Sequence, residues 1–419
     1  MLVAAQHRPT AVSSHALSHS GLRPQFTHSA ARQGKHSAPR SSGGQQQTRC
    51  IAAPAEAPVT SGEESQCPFA GGRLFTRLTA TEPARCPMAG DQVFSTIDRE
   101  YMPFTDIKEG PWQGLKTGLE PMDPADWMEI DAHYDEEIEE KRQLLQLKPD
   151  QTFNVLPGTE SLECCQELLE MLSEWLPCYY PDRFRTSDGQ LHNLVTGEAF
   201  ALDPTMEATH PLQAASLLVQ EDLCLLKDDG KGRYRLIAGS VAFPMRWSLL
   251  QKMGRPMHLI HAPVPFYQKD LRKPVDEFMS SLAPEQAYWR ANYGVTDHPY
   301  LYQLFSEKEV VNAVKGKHVN DKVEELSQDN AGDLLYLRNE RQTLSRLPKT
   351  RAVLFTIRTY TRHLREIADR PDLCSRLANA LTVTPKDFVN YKTMTGLKDA
   401  TMGWLGQQMS RHNRITQQM

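Results

Sequence analysis

The first 55 residues contain no aspartate or glutamate, and the whole chain of 419 residues contains no Cys-x-x-Cys pair among its eight cysteines. The missing pairs leave neither a zinc knuckle nor a thioredoxin-type centre nor a dense disulfide framework, and a reducing compartment fits best. Long apolar runs are also missing. Stretches such as Ala352–Ile357 fall far short of the ~18–20 residues that cross a bilayer, so no membrane span is expected. Long basic stretches are absent too. With six Lys/Arg inside residues 1–55, the remainder holds 41 basic against 52 acidic residues, a balance that argues against a nucleic-acid backbone as partner. The phosphate loop G-x-x-x-x-G-K-[ST], the dinucleotide fingerprint G-x-G-x-x-G, the zinc helix H-E-x-x-H and the nucleophile elbow G-x-S-x-G do not occur. Nucleotide hydrolysis, a Rossmann cofactor, zincin chemistry and α/β-hydrolase chemistry therefore lose support.

What is present divides the chain into four parts. Residues 1–55, rich in Ser, Ala, Gln, Arg and His, read as an organelle transit peptide of plastid type, with a mitochondrial one or a merely disordered tail as the alternatives. Residues 56–100 form a linker too poor in apolar groups to fold, in which Cys67-Pro68 and Cys86-Pro87 repeat a short phrase. Such dipeptides resemble haem-responsive motifs, although a chance echo in a flexible linker is the favoured reading. An ordered body is expected over 101–395 and a polar tail over 396–419.

Within the body, Asp123-Pro124 opens a helix continued by the charged run Asp135–Arg142. Leu162, Cys165, Leu168, Leu169, Leu172 and Trp175 recur at helical spacing, with Pro177 as the expected stop. Asp222–Lys227 and Tyr234–Phe243, joined by Asp228-Asp229-Gly230-Lys231-Gly232, predict a β-hairpin. A short helix is predicted over Trp247–Met253 and another from near Pro274, and Arg351–Tyr360 reads as a buried strand. Strands set among helices in no regular βαβ order make the fold class α+β.

Several polar residues lie in apolar surroundings. Glu221, in Val219–Leu223, either holds a cation or simply closes a helix end in water, since a buried carboxylate is costly without a positive partner. Arg246, between Phe243 and Trp247, suits a carboxylate such as a porphyrin propionate because its fork donates two parallel hydrogen bonds, or it stacks on Trp247. His261 follows barely one turn of chain between Pro256 and Pro263, and a neutral imidazole in an oily slot is what haem iron takes, although such a histidine is also a common core residue. His258 and His210 remain alternatives. Arg341, Gln342 and Thr343 belong to six consecutive polar residues before the buried strand, readable as donors to bound dioxygen or as a salt-bridged turn. Trp289 and Tyr293 bracket Arg290 in a further aromatic patch.

Taken together, the segments V-Q-E-D-L-C-L-L (219–226), F-P-M-R-W-S-L (243–249), K-M-G-R-P (252–256), I-H-A-P-V-P (260–265), W-R-A-N-Y (289–293), E-R-Q-T-L-S-R-L-P (340–348) and A-V-L-F-T-I-R-T-Y (352–360) resemble the α subunit of haem-dependent oxidative N-demethylases. The resemblance implies a PAS-like antiparallel sheet core with helical additions, haem b as cofactor, dioxygen and a small amine as substrates, and electrons from a separate protein. As implied by it, His261 ligates iron, Arg246 and Trp247 hold the porphyrin, Glu221, Arg341, Gln342 and Thr343 shape a polar distal side, and Trp289 and Tyr293 wall the amine. The sequence carries no ferredoxin-type cysteine cluster, so ferredoxin or a flavin/iron–sulfur reductase is the expected donor. Tyr293 departs from the tryptophan usual in the resemblance, which changes pocket volume and cation–π attraction and argues against simply assigning dimethylamine. A PAS-like gas or redox sensor without turnover is the competing expectation.

Overall fold

The computed structural model describes residues 101–203, 205, 209–304 and 326–418; the segment 1–55, the linker 56–100 and its Cys67 and Cys86 repeats lie outside the described residues. Ten strands occur among the described residues: β1 (Glu120–Pro121), β2 (Phe153–Val155), β3 (Phe184–Ser187), β4 (Gln190–Asn193), β5 (Ala199–Ala201), β6 (Asp222–Asp228), β7 (Tyr234–Ser240), β8 (Tyr288–Thr296), β9 (Tyr336–Arg346) and β10 (Val353–His363). Seven form one sheet in the order β1-β8-β9-β10-β6-β7-β2, every neighbouring pair antiparallel. A three-stranded sheet, β3-β4-β5, stands apart. Mixed helix with antiparallel sheet is the α+β class expected.

The β6–β7 hairpin forms where turn chemistry was read. Asp228 Oδ1 accepts from the backbone of Gly230 and Gly232, each at 2.9 Å, and both glycines have positive φ, 78° and 72°, which costs a residue without Cβ little. The β9–β10 hairpin is the longest pairing, from Arg346↔Val353 to Tyr336↔His363. Its turn is fastened to the helix Thr159–Tyr179, where the Glu167 carboxylate accepts from Lys349 N (2.6 Å), Thr350 N (2.8 Å) and the Thr350 hydroxyl (2.6 Å).

Several boundaries differ from expectation. The helix expected to stop at Pro177 runs on to Tyr179. Proline removes one helical hydrogen bond and so frees the Ser173 carbonyl, which takes the Thr186 hydroxyl instead at 2.6 Å. Leu162, counted in the apolar stripe, is 42 % exposed, while Cys164 is buried. Pro124–Asp126, capped by Asp123, is a separate 3-10 turn ahead of a helix over Tyr134–Leu147. Trp247–Met253 is a series of turns, closed by Gly254 donating to Leu236 O at 2.8 Å. The polar run Arg338–Thr343 lies inside β9, the third strand of the sheet. The segment read as a polar tail forms the helix Lys398–Gln418, with Thr401, Trp404 and Leu405 buried.

Strand alternation sends successive side chains of β9 and β10 to opposite faces. One face carries Leu223, Leu225 and Leu354 against the helices Tyr134–Leu147, Thr159–Tyr179 and Pro211–Ser216. The other carries Cys224, Leu226, Leu344 and Phe355 against Ile260, Val275, Phe278 and Met279. The helix-covered face also buries charge. Arg358 donates to Asp131 (2.5 Å) and to Glu137 (2.6 Å), and Gln220 bridges the two acids at 2.9 Å each. Burial would raise the Asp131 carboxyl, but the Arg358 guanidinium beside it holds it below the usual value. Arg358→Met strands both acids off water and should destabilise the fold by about 3 kcal/mol or more in urea titrations; a loss under about 1 kcal/mol would contradict the pairing described.

Candidate functional site

An apolar cavity of about 280 Å³, measured as room for the centre of a water-sized sphere, lies against the sheet face opposite the charge network. That is many times the ~10–15 Å³ a single water needs by the same measure. Cys224, Leu226, Leu236, Leu344, Phe355 and Ile357 form its floor. Its other walls come from the chain around Met257–Leu271, from Val275, Phe278 and Met279 of the helix Arg272–Ser281, from Leu115–Leu119, and from Phe388–Thr393.

His261 is set into this wall by its neighbours in sequence. Pro256 starts the single helical turn Met257–Ile260, and His261 follows it as the capping residue. Its backbone N–H and its ring Nδ1 both meet the Met257 carbonyl at 3.0 Å. A carbonyl only accepts, so Nδ1 carries the proton and Nε2 keeps its lone pair. Tyr267 stacks on the ring, centroids 4.7 Å apart and planes 12° from parallel. Burial, reinforced by the positive Lys252, pushes the imidazole pKa down to about 4, so it is neutral at ordinary pH.

The polar lining is mostly cationic. Arg246 has a left-handed backbone, φ 60°, and ion-pairs with Asp297 at 3.2 Å. Lys252 donates to Ile260 O at 2.8 Å and sits 5.3 Å from the centroid of Trp247; burial lowers its pKa to about 8. At the β8–β9 end, cross-strand neighbours Arg290↔Gln342 and Asn292↔Glu340 face the cavity. Lys392 reaches the same place, donating to Asn292 Oδ1 at 3.1 Å and to Tyr293 O, with its ammonium 4.3 Å from the Tyr293 ring centroid. Burial lowers the Lys392 pKa to about 8.

Of the residues singled out in the sequence, Arg246, Trp247, His261, Tyr293 and Gln342 line the cavity. Glu221, Arg341, Thr343 and Trp289 do not. Gln342 projects into it, whereas Arg341 and Thr343, one residue either side, project to the helix-covered face. There Thr343 shares a hydrogen bond with Thr356 at 2.6 Å, and Arg341 pairs with Glu129 at 3.4 Å and donates to Asp126 O. Trp289 packs on Tyr101, ring centroids 5.6 Å apart. His258 is outside the cavity lining, and His210 caps a helix by accepting from Leu212 N at 3.2 Å. Lys252, Arg290, Glu340 and Lys392 were not singled out, although the first three stand inside the quoted motifs; Lys392 fell where the body was expected to end.

Residues 118–402 match the sequence profile of the family described as haem-dependent oxidative N-demethylase, alpha subunit-like. The chain belongs to that family. The match spans nearly every cavity wall, from Leu119 to Thr393. A bound haem asks for oily walls, a ligand such as a neutral imidazole and cations for two propionates, and the residues present fit those needs. A ligating histidine characteristically donates its second ring N–H to a carbonyl or carboxylate, as His261 does to Met257. No cluster of three or more His, Cys, Asp or Glu able to hold a bare metal ion occurs among the described residues, and a porphyrin-borne iron asks for none.

Glu221 is fully buried behind the sheet: Oε1 accepts from Glu129 N at 2.8 Å and Oε2 has no hydrogen-bond partner. Burial raises its pKa to about 7, against an ordinary 4.5. A carboxyl whose folded pKa exceeds its unfolded one stabilises fully below the unfolded value and loses that contribution as pH climbs through the folded one. Stability should therefore fall from about pH 4.5 to pH 7 by an amount on the order of a few kcal/mol, and Glu221→Gln should remove that part of the slope. Urea midpoints of both proteins across this range check it; parallel curves would contradict it.

Proposed function

We propose that this protein is a haem-dependent oxidase of a small N-methylated amine, carrying out oxidative N-demethylation with dioxygen and external electrons. The observation that carries the reading is the His261 side chain: a neutral imidazole in an apolar cavity with Nδ1–H fixed on Met257 O and Nε2 left unprotonated. Haem b bound there would supply the dioxygen chemistry and the oxidising equivalents for an N-methyl carbon.

The chain's own residues do the rest. His261 Nε2 would hold the metal, and the Met257 carbonyl keeps that tautomer and ring orientation. Arg246 and Lys252 would meet the propionates as cations, with Asp297 fixing the guanidinium. Leu226, Leu344, Phe355 and Ile357 exclude water, which strengthens every polar contact inside. Gln342, whose amide donates to Glu340 Oε2 at 3.2 Å, orients the acid toward an incoming amine. Tyr293 walls the same end of the cavity.

Products are formaldehyde and the amine shortened by one methyl. Electrons come from ferredoxin or a flavin/iron–sulfur reductase, because the sequence has no dinucleotide fingerprint or ferredoxin-type cysteine cluster of its own. In the same reading the antiparallel sheet is an elaborated PAS-like core, and the acid-free leading segment directs the chain to the plastid stroma.

Protein produced with haem supplied should show a Soret band that His261→Ala abolishes or strongly shifts, while His258→Ala and His210→Ala leave it unchanged. A colourless protein would overturn the haem reading. With reduced ferredoxin and an N-methyl amine in air, formaldehyde should accumulate; gas binding without formaldehyde would identify a sensor instead.

A further inference from the structure

The cavity holds more positive charge than a porphyrin can use. Among the described residues, Lys116, Arg246, Lys252, Arg290 and Lys392 line it against one acid, Glu340. Arg246 and Lys252 make one set, on either side of Trp247 in the chain: Arg246 is paired with Asp297, and Lys252 bonds Ile260 O with its ammonium 5.3 Å from the Trp247 ring centroid. Arg290 and Lys392 form another, both within the field of Glu340 and of each other. His261 stands between, in electrostatic reach of Lys252 and of Arg290. Two propionates would take up the first set, which leaves the second with Glu340.

That second group is built for a ligand that carries both signs. Arg290 Nε and the Tyr391 hydroxyl are buried there without a hydrogen-bond partner in the protein, and buried donors of this kind are costly unless something accepts from them. Lys392 has three donors, of which Asn292 Oδ1 and Tyr293 O take two. Glu340, held by Gln342 at 3.2 Å and by Arg338 at 3.7 Å, is the one acceptor with negative charge. A bare dimethylammonium ion would meet two cations for each carboxylate, a like-charge juxtaposition that selects against it. A molecule that brings its own carboxylate removes that repulsion.

We propose that the Arg290–Lys392 end of the cavity binds a carboxylate, and that the amine admitted is an N-methylated amino acid whose ammonium faces Glu340. This rests on the reading of the cavity as the amine site of a haem oxidase. The carboxylate takes Arg290 and the remaining Lys392 donor, and the N-methyl groups lie against the apolar floor toward His261.

The test is calorimetric titration of both the haem-free and the haem-loaded full chain with N,N-dimethylglycine, sarcosine, dimethylamine and acetate at pH 7. The two amino acids should bind at least about tenfold tighter than dimethylamine or acetate, the scale of one charge-assisted hydrogen bond. Arg290→Met and Lys392→Met should each erase that preference to within about twofold, and Lys392→Arg, which keeps the charge if Met at this site unfolds the chain, should retain it. Equal or tighter binding of dimethylamine overturns the proposal, as does acetate binding as well as the amino acids. So does loss of the Soret band in Arg290→Met with the amino-acid preference intact, because those cations would then serve the propionates. Haem uptake with no amino-acid preference sinks this inference alone; amino-acid preference without haem uptake sinks the oxidase reading and leaves the zwitterion site.

Discussion

The pleat of β9 and β10 sends each successive side chain to the opposite side of the sheet, and the two sides have opposite requirements. One must be sealed, because it buries Arg358, Asp131, Glu137, Arg341 and Glu129 beneath helices, where an unpaired charge costs several kcal/mol. The other must stay open enough to admit a ligand, and its floor is correspondingly apolar, from Cys224 to Ile357. A register slip of one residue would exchange the two sets. The long pairing of β9 with β10, anchored at its turn by Glu167, is what forbids that slip.

The sealed side bears on the open one through rigidity. Glu221 and Asp222 sit at the junction between the helix Pro211–Ser216 and β6. Asp222 accepts from Ala242 N at 2.8 Å and Phe243 N at 3.1 Å, and Lys141 reaches over to the carbonyls of Val219 and Glu221. Those bonds fix the chain immediately before Arg246, whose left-handed backbone is held by its own N–H donating to Gln303 O at 2.7 Å. Arg338 adds a bond to Phe243 O at 2.6 Å. The loop that carries one cationic group of the cavity is therefore tied to the network behind the sheet, and a strained residue there persists because its surroundings over-determine it.

Much of this could be read from residue pattern. The β6–β7 hairpin announced itself through Asp-Gly turn chemistry, and the two flanking prolines limited the chain before His261 to barely one turn. The helix from Thr159 was visible in its stripe; its extension past Pro177 was not, because the compensating hydroxyl of Thr186 is distant in sequence. The face on which each polar residue of β9 falls was hidden for a related reason. Arg338–Thr343 is polar on both faces, so alternation leaves no apolar mark, and Gln342 could not be told from Arg341 until the strand partners were known. Arg290, Glu340 and Lys392 come together only through the β8–β9 pairing and a helix some fifty residues further on. Family resemblance marked the right segments without saying which side chains within them face the ligand.

Everything depends on the Gln342 face of the sheet being the side that receives the porphyrin, with His261 as the one imidazole among the described residues that line the cavity there. Iron anomalous diffraction from crystals of the haem-loaded protein tests this most directly. The account predicts a single iron peak within bonding distance of His261 Nε2, above Leu344 and Phe355. An iron peak bonded to His210 or His258, or lying on the Glu221 side of the sheet, would contradict it.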